Sequence, residues 1–492
     1  MGRRPGCGYE GVATMDEREL LAAFPGPVEV PAARVAAAIA AAPRTLVVLD
    51  DDPTGTQSVA GLPVLTGWEV ADFAWAIAQG APAVYVLTNT RSLDPETAAT
   101  RNREIVRNAL TAASGRPLAF VSRGDSTLRG HFPLETDVIA EELEAAGAGV
   151  VDGVVVVPAF PDAGRITVGG VHYMRRPDGI VPVGETEFAR DSTFGYAESE
   201  LARWVEEKTG GRDRAEDVIV LDLATIRAGA EAIAAALAGA SARRPVVADA
   251  VTEDDLRLLA LGLDLAERAG KTFLYRVGPP FVRARIGQEP RHPLTAPEIF
   301  GARPPATRGG LVVVGSHVGL TSRQLAALRR ERPAAVTFEI DVDRVVGADA
   351  AGAADLEPTA YLAEISAGIA TALETGDVIV HTSRTLVKTD DPDESLAISR
   401  RVSAAVVDVV RRTLALRAPR FVIAKGGITS SDVAAHGLGI RHATVRGPML
   451  PGIVSLWEPT DGPAAGIPYI VFAGNVGDDD SLADVVDVLS AA

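Results

Sequence analysis

Sulfur chemistry is almost absent from this chain of 492 residues, which carries a single cysteine, Cys7. No internal disulfide and no cysteine-based metal site can form, and a reducing, cytoplasmic setting is the natural expectation. The seven histidines show neither H-x-H nor H-E-x-x-H spacing, so no metal ligation by histidine is expected. Arg3 and Arg4 are not followed by a long apolar stretch before Asp16-Glu17-Arg18-Glu19, so no signal peptide is expected. The apolar runs are short, or Ala-rich and broken by charge, which excludes an evident membrane-spanning helix. Positive charge is in deficit, with 48 Lys and Arg against 65 Asp and Glu for a net charge of −17. That balance argues against nucleic acid or an anionic membrane as the main partner, while leaving room for a phosphate ligand in a locally Gly-rich pocket. Three sequence signatures are also missing: G-x-x-x-x-G-K-[ST], G-x-G-x-x-G and G-x-S-x-G.

What is present is a repeated strand-to-loop rhythm. An apolar run at 46–49 ends in Asp50-Asp51-Asp52 and then Pro53-Thr54-Gly55. Further apolar runs at 83–87, 118–121 and 153–157 also end in polar loops, and helical patterns lie between them. This is the βαβ rhythm of a parallel sheet, which gathers its loops at the edge where ligands bind. Residues 166–215 read as a long excursion, a hairpin covering the site, and the rhythm resumes at 218–221, 245–248 and 272–275. A Pro-, Arg- and Gly-rich stretch over 278–309 marks the interdomain linker, bounded at 291–309. A second βα series follows, with strands at 311–314, 336–340, 377–381 and 420–424. The expected organisation is an N-terminal extension over 1–42, frayed at its start, an α/β domain over 43–290, the linker, and a second α/β domain over 310–492. Each domain has a mainly parallel sheet flanked by helices.

The acidic turn admits two readings. Three adjacent carboxylates form either a solvated turn or a site that binds a cation, grips a polyol through its hydroxyls, or removes a proton. The loop Ser122-Arg123-Gly124-Asp125-Ser126-Thr127-Leu128-Arg129-Gly130-His131 adds two arginines, an aspartate and hydroxyls. With Asn89 and Arg91 after the second strand and Arg165 after the fourth, it suits a small polyhydroxy acid: guanidinium for its carboxylate, Asp for its hydroxyls. In the second half, Lys425-Gly426-Gly427-Ile428-Thr429-Ser430-Ser431 joins a strand to a helix, where free N–H groups favour anions. Gly315-Ser316-His317, Gly447-Pro448-Met449-Leu450-Pro451-Gly452 and Gly474-Asn475-Val476-Gly477 read as further Gly-rich loops, and four in one half point to a phosphate or nucleotide.

Taken in order, the set Asp51-Asp52-Pro53-Thr54-Gly55, Asp125 to Gly130, Pro158 to Arg165, Gly315 to Gln324, Gly426 to Ser430 and Gly474 to Gly477 resembles the four-carbon acid sugar kinases, as does Val183 to Asp191. The chain departs from the usual pattern at Pro53, at Arg123-Gly124-Asp125 and at Phe472-Ala473. The resemblance implies an ATP- and Mg2+-dependent kinase acting on the terminal hydroxyl of a tetronate-type acid, with the site in a cleft between a sugar-acid domain and a nucleotide domain. It implies Asp51 and Asp125 as catalytic groups, and Asp52, Thr54, Arg91, Arg123, Ser126 and Arg165 as substrate-binding groups. Ser316, Thr321, Gly426, Gly427, Thr429, Ser430, Gly447, Pro448, Gly452 and Asn475 fall on the nucleotide side. The partners expected are a small sugar acid and ATP, with a homodimer left open. Two rival readings stay open: another acid-sugar enzyme on the same scaffold, and a non-catalytic nucleotide or metabolite sensor.

Overall fold

The computed structural model describes residues 14–301, 309–346, 356–383 and 392–491. Cys7, Arg3, Arg4, Arg384 and linker residues 302–308 lie outside the described residues. Contacts divide the chain into two compact units, one of 1–51, 93–110 and 115–289, the other of 52–92, 111–114 and 290–492.

In the first unit, strands Thr45–Asp50, Leu118–Arg123, Phe273–Val277, Gly153–Val157, Arg244–Ala248 and Ile219–Leu221 lie side by side in that order, all parallel. Their runs are almost wholly apolar because a parallel sheet is buried on both faces. The register sets Asp50 beside Arg123 and Ser122 beside Arg276, so the charged strand ends meet at one edge. The expected hairpin at 166–215 is a three-stranded antiparallel sheet of Arg165–Val168, Val171–Arg176 and Gly179–Pro182. Buried Asp249 ties it down by accepting the N–H groups of Gly169, Gly170 and Leu223 at 2.6, 2.9 and 2.9 Å. The start of the extension, expected to fray, lies outside the described residues as far as residue 13; beyond it Met15 bridges to Ile180, Glu17 pairs with Arg175 at 2.6 Å, and Asp254 accepts the N–H of Val30. Pro279–Arg285, inside the Pro- and Arg-rich stretch, is a buried helix.

In the second unit, Val336–Ile340, Val378–Thr382, Leu311–Val314, Val422–Lys425 and Tyr469–Phe472 form the parallel part. Ile453–Pro459 then runs antiparallel to Tyr469–Phe472, followed by His442–Leu450, Leu62–Leu65 and Ala83–Leu87. Two expectations are corrected here. Residues 447–450, read as a Gly-rich loop, end the strand His442–Leu450, and only Pro451-Gly452 turns the chain, with Gly452 at φ +66°. The strand tolerates Gly447 at φ +144° because the register slips between Val445 and Gly447, leaving a bulge. Leu62–Leu65 escapes notice because Pro63 argues against a strand, and segment 52–92 joins the second unit through its pairing with His442–Leu450. Trp457 donates to Thr56 Oγ1 at 2.9 Å, which locks the turn after Asp52 into the same unit.

Candidate functional site

In the first unit, the ends of Thr45–Asp50 and Leu118–Arg123 hold a buried charge cluster. Arg123 donates through Nε to Asp50 Oδ1, and its Nη1 stands 3.6 Å from Asp51 Oδ1. All three residues are at most 2% exposed, so the guanidinium is what makes two adjacent buried carboxylates tolerable. The loop 124–130 wraps over them and is glycine where it must be. A Cβ on Gly124 would stand 2.3 Å from Arg276 Cζ, and one on Gly130 would stand 2.5 Å from Arg276 Nη2 and 3.1 Å from Asp51 Oδ2. Arg276 itself is held by Glu135 at 2.7 Å and Ser122 Oγ at 2.8 Å. Sequence reasoning missed Arg276; its signal is one charge inside the apolar run FLYRV.

Asp125 accepts from Thr127 Oγ1 and from Arg129 Nε, the latter at 2.7 Å. Arg129 also reaches Asp191 at 3.6 Å and lies over the Phe188 ring at 5.0 Å. Arg165 is different. Its Nη1 donates to Ala163 O at 2.7 Å, its Nε is buried with no hydrogen-bond acceptor, and it forms no ion pair among the described residues. Burial lowers its pKa, and Asp125 and Glu187 attract its charge while Arg129 repels it. The Ser126 carbonyl accepts from His172 Nε2 at 2.8 Å, while Tyr196 donates to Thr127 O at 2.7 Å. His172 is fully buried, which pushes it down to about 4, so it is neutral at neutral pH.

In the second unit, Asp52 caps its own turn by accepting the Thr54 N–H at 2.8 Å and the Thr54 hydroxyl. Arg91 Nη1 stands 3.4 Å from Asp52 Oδ2. The same carboxylate oxygen would be 3.3 Å from a Cβ on Gly427, so the acidic turn faces the start of the helix Gly427–Asp432 within one unit. Around that start the backbone is stripped of side chains. A Cβ on Gly315 would stand 2.1 Å from Thr429 Oγ1, one on Gly426 (φ +131°) 3.0 Å from it, and one on Gly474 2.6 Å from Ser316 Oγ. Thr321 donates to Gly474 O at 2.9 Å and fixes the 474–477 loop. Ser316, Thr321, Gly426, Gly427, Thr429 and Gly474 are therefore brought together. Asn475 is exposed beside them. Ser430 gives its hydroxyl to Ala424 O at 2.8 Å. Gly447 and Pro448 sit elsewhere, packed on the segment carrying Arg291 and Leu294.

Beside the glycine cluster lies a cavity of about 210 Å³, lined in part by Gly315 and Thr429. Val342, Ile398, Val402, Val406, Ile428 and Val433 make its walls apolar, and His317, Thr382, Ser403 and Asp432 bring polar groups to it. Free backbone N–H groups at a helix start next to an apolar slot can hold a phosphate tail and a flat ring. Among the described residues no group of three or more His, Cys, Asp or Glu could hold a metal ion, and no helix is long and apolar enough to cross a membrane.

Two family models match this chain: a sugar-binding N-terminal domain over residues 46–285 and a nucleotide-binding C-terminal domain over 311–482. The chain belongs to the four-carbon acid sugar kinase family. It is 31% identical over 294 residues to a D-erythronate kinase of Heliobacterium modesticaldum, covering 58% of this chain and 60% of that one. It is 28% identical over 453 residues to a D-threonate kinase of Bordetella bronchiseptica, covering 88% of this chain and 95% of that one. The chain thus spans less than two thirds of the Heliobacterium relative's length. A solved structure of Haemophilus influenzae protein HI1011 has the same fold, with a TM-score of 0.59, 19% identity, and coverage of 90% of this chain and all of that one.

Proposed function

We propose that this family member is an ATP-dependent kinase that phosphorylates the terminal hydroxyl of a four-carbon sugar acid. One observation carries the reading. The acidic turn at Asp52 faces the glycine-rich start of Gly427–Asp432, so a carboxylate stands where a polyphosphate would end. A carboxylate beside phosphates is repulsive even with Arg91 at 3.4 Å, and a Mg2+ ion would offset that repulsion. Magnesium is held by one or two carboxylates together with substrate phosphates, and Asp52 is the residue that would hold it here. When bound, the ion neutralises charge on the transferring phosphoryl group.

The remaining chemistry belongs to the chain's own residues. The N–H groups at Gly427 and Gly474 hold the phosphates, while that of Gly426 donates to Phe472 O at 2.8 Å and fixes the turn, and the apolar cavity beside them takes the base. Arg165, whose guanidinium has no ion pair among the described residues, anchors the acid's carboxylate. Asp51, with Arg123 Nη1 3.6 Å away, orients the terminal hydroxyl and accepts its proton as the oxygen attacks the γ-phosphorus and ADP leaves. Names of the relatives support the substrate class: D-erythronate, D-threonate and 3-oxo-tetronate kinases are among them.

The test is an ADP-release screen with Mg-ATP over four-carbon and related sugar acids, each product checked for a terminal phosphate. Turnover of a tetronate is expected. Turnover of an acid sugar without ATP would instead favour another reaction on this scaffold, and binding of both ligands with no ADP formed would make the protein a sensor.

A further inference from the structure

Lys425 ends the strand Val422–Lys425, directly before the Gly426-Gly427 turn, and is fully buried. Its Nζ donates to Ala473 O at 2.6 Å and stands 3.8 Å from the centre of the Phe472 ring. No carboxylate pairs with it among the described residues, and burial alone pushes it down to about 7. The packed elements bring it no counter-charge. Strand Leu311–Val314 is apolar, Tyr469 on the other neighbouring strand gives its hydroxyl to Ser430 O, and Asp432 on the following helix accepts from Ser403. Buried ammonium groups are ordinarily paired, so a solitary one beneath two glycine loops calls for an anion that arrives from outside.

The bond to Ala473 O also has a mechanical consequence. The next residue, Gly474, lies against Ser316 and accepts from Thr321, so Lys425 links the loop at 426–427 to the loop at 474–477. We infer that Lys425 is a positioning residue: its ammonium is the resident counter-charge for a nucleotide polyphosphate held by these loops, and its bond to Ala473 O sets the spacing between them. The inference rests on the nucleotide reading of this site. Because the free site holds the ammonium weakly charged and a polyphosphate favours the charged form, binding draws a proton from solvent onto Nζ when the solution is above neutral pH.

The experiment is calorimetric titration of the full chain with ADP, and separately with inorganic pyrophosphate, in Mg2+. It is run from about pH 6 to pH 8.5 in buffers of differing ionisation enthalpy. The wild type should take up a proton on binding ADP at about pH 8, where the ligand phosphates are already ionised, and its Kd should rise with pH above about 7. Lys425→Met should bind roughly tenfold more weakly near pH 6, the scale of one screened charge interaction, and show no uptake. Lys425→Arg should keep affinity and lose the pH dependence. Wild-type binding without proton uptake overturns the inference and needs no variant to fold; so does a Lys425→Met protein with the wild-type affinity and profile. If the wild type binds neither ADP nor pyrophosphate, the nucleotide reading itself falls, and this inference with it.

Discussion

At the scale of single residues, adjacent aspartates separate into different roles. Asp50 is consumed by Arg123, its register partner in the sheet, whereas Asp51 stands 3.6 Å from the same guanidinium with its other oxygen under the Gly130 loop. Asp50→Asn should cost about 3 kcal/mol of stability, since it leaves a buried arginine undercompensated, and urea unfolding measures that. Asp51→Asn should lower kcat by roughly two or more orders of magnitude, the usual contribution of a positioned base, with the protein folded; near wild-type turnover would remove Asp51 from that role. His172 gives a pH signature. Burial holds it near 4 against an ordinary value near 6.5, so the unfolded chain binds more protons between those values. Its contribution is fully present above about pH 6.5 and is lost as pH falls toward about 4, worth roughly 3 kcal/mol in total. Asp249, pushed up to about 6 by burial, works in the opposite sense over part of this range. The decisive measurement is therefore the difference between wild type and His172→Gln at each pH, which should shrink on acidification.

At the scale of elements, the three-stranded sheet Arg165–Val168, Val171–Arg176 and Gly179–Pro182 carries Arg165 at its first position and His172 within it. Its attachment depends on Asp249, which takes three backbone N–H groups at once. Asp249→Ala strands those donors, and since each buried unsatisfied donor costs on the order of 1–3 kcal/mol, a loss of about 3 kcal/mol is the conservative expectation. Hydrogen exchange should show faster exchange at Gly169, Gly170 and Leu223, and unchanged protection there would sink the assignment. The loss should also raise the KM for the sugar acid, because Arg165 is held by the same sheet.

At the scale of the whole molecule, a ligand that binds the native state alone stabilises it by mass action, about 2.7 kcal/mol at a hundredfold excess over Kd. Mg-ADP should therefore raise the melting temperature of the wild type. The same addition should leave Gly427→Val unmoved, because a side chain there meets Asp52. An equal shift in both proteins would move the nucleotide away from the start of Gly427–Asp432.

Reading order and residue type alone determined a good deal. Parallel strands such as Gly153–Val157 and Leu311–Val314 were legible because burial on both faces demands unbroken apolar runs, and their polar ends pointed to a ligand edge. The ordered motifs pointed to the family that the domain matches show. The antiparallel strands were not legible. In Leu62–Leu65 and His442–Leu450, proline and glycine stand inside strands, and only the partner strand and a bulge make that possible. Nor could spacing reveal that segment 52–92 packs with residues hundreds of positions away, which is what brings Asp52 against Gly427. Chain chemistry is local and can be read in order; which charges share a buried space is a property of register and packing, so only the tertiary structure decided the partners of Asp52, Arg165 and Lys425.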